Sequence, residues 1–456
     1  MTPDPEVRIA ELEAENATLR EQVELLAARV EELQARLAKD SHNSGKPPSS
    51  DGLTRKTKSL RKRSGKRPGG QVGHRPPVCI RCQTSLDGAS GALRERRQVW
   101  DLPPLRLVVR EHQALHLRCP TCQAITVGAF PPEAPSRAQY GPRLRALAVY
   151  LVEAQFVPFE RAQHLLADLF GVRLARGSVV GWVQQAAGAI EPVETAIKAT
   201  LRRSPVLHRD ETGVRRDGRL AWAHVASTGR LTHYAIHAKR GSAATDAIGI
   251  LPGFTGVSLH DGWAGYHAYT TCRHALCNVH HLRELTFLEE EYHQAWAKDL
   301  EELLQEMRTT ADQARAQGAQ RLPATQRDLL LTRYRDLLAA GLAANPPPAS
   351  RRRPGQRGRL AQSPARNLLE RLALRQDEVL AFLDDLTIPF DNNQAERDLR
   401  GLTVHQKVSG CFRSDAGADA FACLRGYLAT MRKQGQARLA TLETVFTGQP
   451  LYPDML

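Results

Sequence analysis

The sequence predicts a multidomain α/β protein, and three observations predict it. The chain has 456 residues. A compact domain takes about 100–200, so roughly three domains are expected. The hydrophobic period changes along the chain, from a three-four repeat, through a stretch with none, to short apolar strands alternating with helices. Only eight cysteines are present, and four stand as two C-x-x-C pairs, which suits metal binding better than a disulfide framework. A net charge of +14 and a pI near 9.7 point to a polyanionic partner, most simply nucleic acid. No apolar run approaches membrane-spanning length, and the polar, acidic N-terminus does not read as a signal peptide. A cytoplasmic protein with no membrane partner is therefore expected.

Residues 1–39 read as a coiled-coil dimerisation helix. Ile9, Asn16, Val23, Val30 and Leu37 fall at a positions of a heptad, and Leu12, Leu19, Leu26 and Leu33 at d. β-branched a residues with Leu at d favour two parallel strands, and a lone Asn at a fixes register and partner number. Arg8 with Glu13, and Glu15 with Arg20, supply complementary g-to-e pairs. A homodimer or higher oligomer follows as an expectation.

Residues 40–77 lose this period and read as a basic linker. Asn43-Ser44-Gly45-Lys46-Pro47-Pro48-Ser49-Ser50-Asp51-Gly52 has linker composition. Arg55, Lys56, Lys58, Arg61, Lys62, Arg63, Lys66 and Arg67 then form a dense positive run. Beside a dimerising helix and a metal motif, it reads as a contact to DNA phosphates or a flexible basic arm.

Residues 78–130 read as a zinc-binding ribbon. Cys79-Ile80-Arg81-Cys82 and Cys119-Pro120-Thr121-Cys122 each present two thiolates, and two such turns make the ligand set of a structural zinc ion. Between them, residues 97–102 and 105–109 read as strands.

Residues 138–202 are helical, over 143–155, 159–170 and 177–190, with a turn at Gly171-Val172. Helix, glycine turn, helix is compatible with a helix-turn-helix entering a major groove, and equally with an ordinary helical bundle.

From 203 to 290 the pattern turns to strands. An apolar strand over 205–209 runs into Asp210-Glu211-Thr212-Gly213. Strands at 220–226 and 231–236 follow, with Asp217-Gly218 and Thr228-Gly229 as turns, making a meander. A helix at 242–250 crosses to a strand at 256–260, which ends at Asp261-Gly262-Trp263. A strand at 274–277 and a helix at 279–291 complete the segment. Three antiparallel strands, helix, strand, strand, helix is close to the order of the ribonuclease H-like fold. In such a mixed sheet the first strand and the one after the crossover lie side by side, so Asp210 and Asp261 meet at strand ends.

Residues 291–364 read as a helical insertion with a basic loop carrying Arg351, Arg352, Arg353, Arg357 and Arg359. The ribonuclease H-like core resumes over 365–436. Pro389 holds Ile388 extended, and Asp391 or Asn392 can cap a new helix. Glu396 falls one turn into that helix, with Arg397 and Arg400 sharing one face as phosphate contacts. Residues 403–412 read as strand or loop, 416–434 as helix and 437–456 as a tail. Three carboxylates at strand end, strand end and helix start can hold two Mg²⁺ or Mn²⁺ ions about 4 Å apart.

At this point the chain resembles the IS66 family of bacterial insertion-sequence transposases. The resemblance runs nearly end to end: the coil, the 43–52 linker, the paired cysteines and Asp210-Glu211-Thr212-Gly213. It continues through His260-Asp261-Gly262-Trp263, residues 274–285, residues 389–400 and Gln406-Lys407-Val408-Ser409-Gly410-Cys411-Phe412-Arg413-Ser414. It implies a DDE transposase that cleaves and joins DNA at element ends, with Asp210, Asp261 and Glu396 as its metal-binding triad. The implied partners are terminal inverted repeats, target DNA and accessory proteins of the element, and the implied place is the bacterial nucleoid. Cys277 and His280 match a C-x-x-H signature of related transposases. Where basic residues are expected after Glu396, this chain has Thr403 and His405. A non-catalytic zinc-containing DNA-binding derivative is the competing expectation, and the intact triad favours the enzyme.

Overall fold

The computed structural model describes residues 74–92, 94, 101–347 and 362–455. The coil, the basic run from Arg55 to Arg67, most of the strand expected at 97–102, and the arginines from Arg351 to Arg359 lie outside the described residues. The chain divides into two units, Met1–Leu102 and Pro103–Leu456, and each is described by itself. Among the described residues no helix is long and apolar enough to cross a membrane.

In the first unit the Cys79–Cys82 turn closes on itself. Gln83 N–H donates to Cys79 O at 2.9 Å, and Cys79 N–H donates to Thr84 O at 2.8 Å. In the second unit β1 (His116–Arg118) and β2 (Ile125–Val127) pair antiparallel on either side of Cys119–Cys122. The strand expected at 105–109 does not form: these residues are irregular, with Val108 and Val109 exposed. A strand needs a ladder partner, and among the described residues none pairs with this segment.

Three helices follow: α1 (Pro142–Val149), prolonged by a π-helical turn over Tyr150–Ala154, then α2 (Phe159–Phe170) and α3 (Arg176–Leu201). Buried Val179, Val183, Ala186, Ile190, Val193, Ile197 and Leu201 give α3 one apolar stripe along its whole length. That stripe shares a core with Leu207 of the next strand and with Leu424 and Leu428 near the C-terminus. The helices thus share one apolar core with the strand that follows them and with the C-terminal helices.

The central sheet has five strands in the order β5-β4-β3-β6-β7. They are β3 (Val206–Arg216), β4 (Arg219–Ser227), β5 (Thr232–His237), β6 (Val257–His260) and β7 (Arg273–Leu276). β3, β4 and β5 are the antiparallel meander; β6 runs parallel to β3, and β7 parallel to β6. Asp217 and Gly218 both have positive φ, 49° and 71°, as a two-residue hairpin between Arg216 and Arg219 requires. β3 is longer than expected. It runs on through Asp210 to Arg216, because β4 pairs with it along that whole length while β6 pairs only from Val206 to His208. Asp210 therefore lies inside a strand, where the parallel pairing stops.

α4 (Ser242–Ile248) crosses to β6, and β7 leads into α5 (Asn278–Tyr292). α6 (Ala295–Ala316) and α7 (Ala324–Ala344) form the insertion; α8 (Pro364–Leu374), α9 (Gln376–Val379) and α10 (Ala381–Asp384) return from it. These helices share a second apolar core with Val257, Leu259, Ala275 and Leu276 of β6 and β7.

The chain closes with α11 (Asn393–Ser409), α12 (Asp415–Lys433) and α13 (Arg438–Phe446). Residues 403–409, read as strand or loop, continue α11. Gly401 does not end that helix. A side chain there would run into the guanidinium of Arg425, so glycine leaves room for that side chain. α12 covers the free edge of β5: Thr232 N–H donates to Thr430 Oγ1 at 2.9 Å, and that hydroxyl donates back to Thr232 O at 3.2 Å. α13 occupies the stretch read as a tail, and its buried Leu442, Val445 and Phe446 join the core around α3.

Candidate active site

The β3–β6 register matches His208 with Leu259. Asp210 and Asp261 each follow two residues beyond that last pair. Glu396 arrives from α11, and Asn392 brings it there. Asn392 is buried; its Nδ2 donates to Arg209 O at 2.7 Å, and its Oδ1 accepts from His208 Nδ1 at 3.0 Å. Its N–H donates to Cys277 Sγ at 3.1 Å. The start of α11 is thus bound to β3 and to the start of α5. Asp391 Oδ1 takes the N–H of Asn393 at 3.0 Å, so of the two expected caps only Asp391 faces its own chain.

The three carboxylates share one electrostatic environment. Burial pushes the Asp210 carboxyl up to about 7, and the charges of Glu211, Asp261 and Glu396 push the same way. Glu396 Oε1 is buried with no hydrogen-bond partner, and His280 Nε2 stands 3.9 Å from it. Glu211 N–H donates to Asp210 Oδ1 at 2.8 Å, and Trp263 N–H to Asp261 Oδ1 at 2.9 Å. Each bond fixes one oxygen and leaves the second for another partner. Burial and like charges beside Asp210 favour a neutralising partner, a proton or a divalent cation; the ligand atoms gathered within 4.8 Å of one another are those of Cys277, His280 and Glu396, so Glu396 Oε1 stands with that pair.

Glu211 sits next in sequence but is already satisfied. Arg240 Nη2 meets its Oε1 at 2.7 Å, and Tyr266 donates its hydroxyl to Oε2. Arg240 lies between Trp222 and Trp263, 4.9 and 4.8 Å from the ring centroids. The alternation of β3 separates the two acids, since successive side chains point to opposite faces.

A histidine group stands behind Asp261. His260, His267 and His274 bring one ring nitrogen each within 4.8 Å of one another, and their hydrogen bonds assign the protons. Gly262 N–H donates to His260 Nδ1 at 3.0 Å, so His260 carries its proton on Nε2 and donates it to His274 Nδ1 at 3.0 Å. His274 then donates from Nε2 to Tyr269 O at 3.1 Å. This neutral chain needs no ion, and burial, the largest cause of the lowered pKa of both rings, agrees with it. It anchors the turn that carries Asp261.

Cys277 and His280 divide their roles. The Cys277 thiol is buried and pushed up to about 11 by burial; its sulfur accepts the Asn392 N–H. His280 faces Glu396. Arg397 and Arg400 are exposed on α11. His405 is partly buried: it stacks on Phe412 at 4.7 Å and packs against Phe156 and Phe421. The Asn392 clamp and the histidine chain escape the sequence, although the Asp-Asn-Asn run before Glu396 marks the place where the clamp sits.

The two cysteine turns have the same internal geometry, each within its own unit. Gln123 N–H donates to Cys119 O at 3.0 Å, and Cys119 N–H to Ala124 O at 2.8 Å, as at Cys79. Gln83 and Gln123 both take positive φ, 59° and 61°. Hydrogen bonds from the Thr84 side chain and backbone lower the Cys82 thiol to about 7.

Comparison with known proteins finds two families. Residues 137–420 match the Transposase IS66 family, and residues 2–77 match a family of unknown function, DUF6444. An uncharacterized protein of Sinorhizobium fredii, y4jO, is similar to the chain: 38% identical over 68 residues, which is 15% of this chain and 21% of that protein. The chain thus matches about a fifth of that relative's length.

Proposed function

The chain belongs to the IS66 transposase family, and from that footing we propose that it is a DDE enzyme cutting and joining DNA at the ends of its element. Asp210, Asp261 and Glu396 hold magnesium or manganese. The observation that supports this reading is the raised Asp210 carboxyl, on which the charges of Asp261 and Glu396 act, with the unpartnered Glu396 oxygen. Bound Mg²⁺ or Mn²⁺ would supply Lewis-acid stabilisation of the attacking and leaving oxygens. The chain's own residues orient the acids: backbone N–H groups turn Asp210 and Asp261, and Asn392 holds the start of the helix that carries Glu396 against β3. DNA is the partner that the family and the +14 charge favour. Zinc on the C-x-x-C cysteines is a second proposal and rests on their spacing.

The test is Glu396→Gln, which keeps the side chain's size and removes its charge. The variant is expected to bind end DNA as wild type does. Its Mg²⁺-dependent nicking should fall on the order of 100-fold or more. Equal nicking by both proteins would overturn the triad.

A further inference from the structure

We propose that Cys277, His280 and Glu396 together hold one soft divalent cation, zinc or a metal of like chemistry, and that this ion draws Glu396 away from Asp210 and Asp261. The second half rests on the transposase reading; the first stands on the side chains alone.

One ligand atom from each of the three side chains lies within 4.8 Å of the other two. His280 Nε2 and Glu396 Oε1 are 3.9 Å apart, too far for a hydrogen bond. Ligands about 2.0–2.3 Å from a tetrahedral zinc ion stand about 3.3–3.6 Å from one another, so the three atoms need to draw in by only about an ångström. An ion there supplies the partner that the buried Glu396 Oε1 lacks. Among the described residues no group gathered this closely joins Glu396 to Asp210 or Asp261. Glu396 thus stands on the side of Cys277 and His280, and it can serve one site at a time.

The backbone around the sulfur is fixed. Cys277 N–H donates to His260 O at 2.9 Å, and Asn392 N–H donates to Cys277 Sγ at 3.1 Å. The backbone N–H groups of Asn392 and His280 both favour the thiolate, the form that a metal needs. Cys277 and His280 are three residues apart where α5 begins, so their side chains face the same way. An ion between them and Glu396 therefore ties the start of α5 to α11, which Asn392 already joins. Thiolate and imidazole select zinc over magnesium. The thiolate and the carboxylate cancel both charges of the ion, and the thiol proton leaves to solvent as it binds. Three protein ligands leave a fourth position for water, so this ion exchanges more readily than one held by four thiolates. It is a further equivalent, beyond the zinc proposed for the C-x-x-C turns.

The experiment titrates full-length wild type, Cys277→Ser and His280→Ala with Co²⁺, which takes the place of zinc and reports thiolate ligation by its near-ultraviolet absorption. The C-x-x-C turns are common to all three proteins, so their contribution cancels. Wild type is expected to bind one equivalent more than either variant, with an added thiolate band that both variants lack. Equal uptake and equal bands in all three overturn the site. His280 is half-buried, so His280→Ala decides the matter even where Cys277→Ser fails to fold. Nicking of an element-end duplex in Mg²⁺ is then measured against buffered free Zn²⁺, each protein relative to its own zinc-free rate. Wild type should lose half its rate at a zinc level at least about tenfold below that needed for His280→Ala. The same level for both overturns the withdrawal of Glu396, while the extra equivalent keeps the site. Wild type that takes up the extra equivalent but nicks at no zinc level overturns the transposase reading and leaves the site standing.

Discussion

Asn392 spends every polar atom of its side chain on another segment: Arg209 O and His208 Nδ1 lie 183 and 184 residues away. Asn392→Ala would leave a buried carbonyl and a buried ring N–H without partners, at a cost of about 2 kcal/mol or more. The Cys277 contact survives, because it uses the backbone N–H. The variant is expected to unfold at lower urea and to nick more slowly, since the start of α11 is no longer held to β3. An unchanged unfolding midpoint would refute the clamp. At this scale the sequence discloses the proposed ligands better than their supports. Asp210, Asp261 and Glu396 stand out by residue type and by position at the edges of apolar runs. Asn392 reads as a helix cap, since local partners are the ones a linear pattern can offer. His260 and His274 show no signal either, because their proton order depends on a turn geometry fixed by Gly262 at φ 92°.

Among the elements, the cysteine turns carry the most from spacing to structure. In both, the fifth residue of Cys-x-x-Cys-Gln takes a left-handed conformation and returns its N–H to the first carbonyl. Such a turn points two sulfurs the same way, and the lowered Cys82 thiol favours the thiolate that a metal needs. About one zinc per chain is expected in the purified full-length protein, and Cys119→Ser should lower that content. Zinc-free protein, or zinc unaffected by the substitution, would remove the proposal. The strands are less legible than the turns. Residues 105–109 have strand composition, but β-propensity forms a strand only where a partner lies alongside. α11 shows the reverse. Gly401 and Thr403 read as helix breakers, and close packing on Arg425 and β3 overrides their weak preferences.

For the unit from Pro103 to Leu456, the strand order is legible because turn residues punctuate the meander and a crossover helix forces β6 parallel to β3. The extent of the insertion's core is not, since its apolar positions also suit a free-standing helical pair. This topology has a thermodynamic consequence. The proposed ligands stand at 210, 261 and 396, on a strand, after a second strand and on a late helix, so no unfolded segment of the chain gathers them. An ion that needs all three binds the folded form alone and stabilises it by RT ln(1 + [M]/Kd), about 2.7 kcal/mol at a hundred times Kd. The metal-free site works against folding, because burial and the charges of Glu211, Asp261 and Glu396 oppose an ionised Asp210 there. Saturating Mn²⁺ or Mg²⁺ should therefore raise the melting temperature of wild type by several degrees. Glu396→Gln should melt no lower than wild type without metal, having lost one repelling charge, and should gain little on adding it. Calcium, a hard cation that also takes oxygen ligands, should stabilise wild type as well, so that binding is read apart from turnover. Scanning calorimetry at matched ionic strength measures all of this. A wild-type transition that stays fixed through saturating Mn²⁺ would mean that the three acids do not hold an ion together, whatever the nicking assay reports.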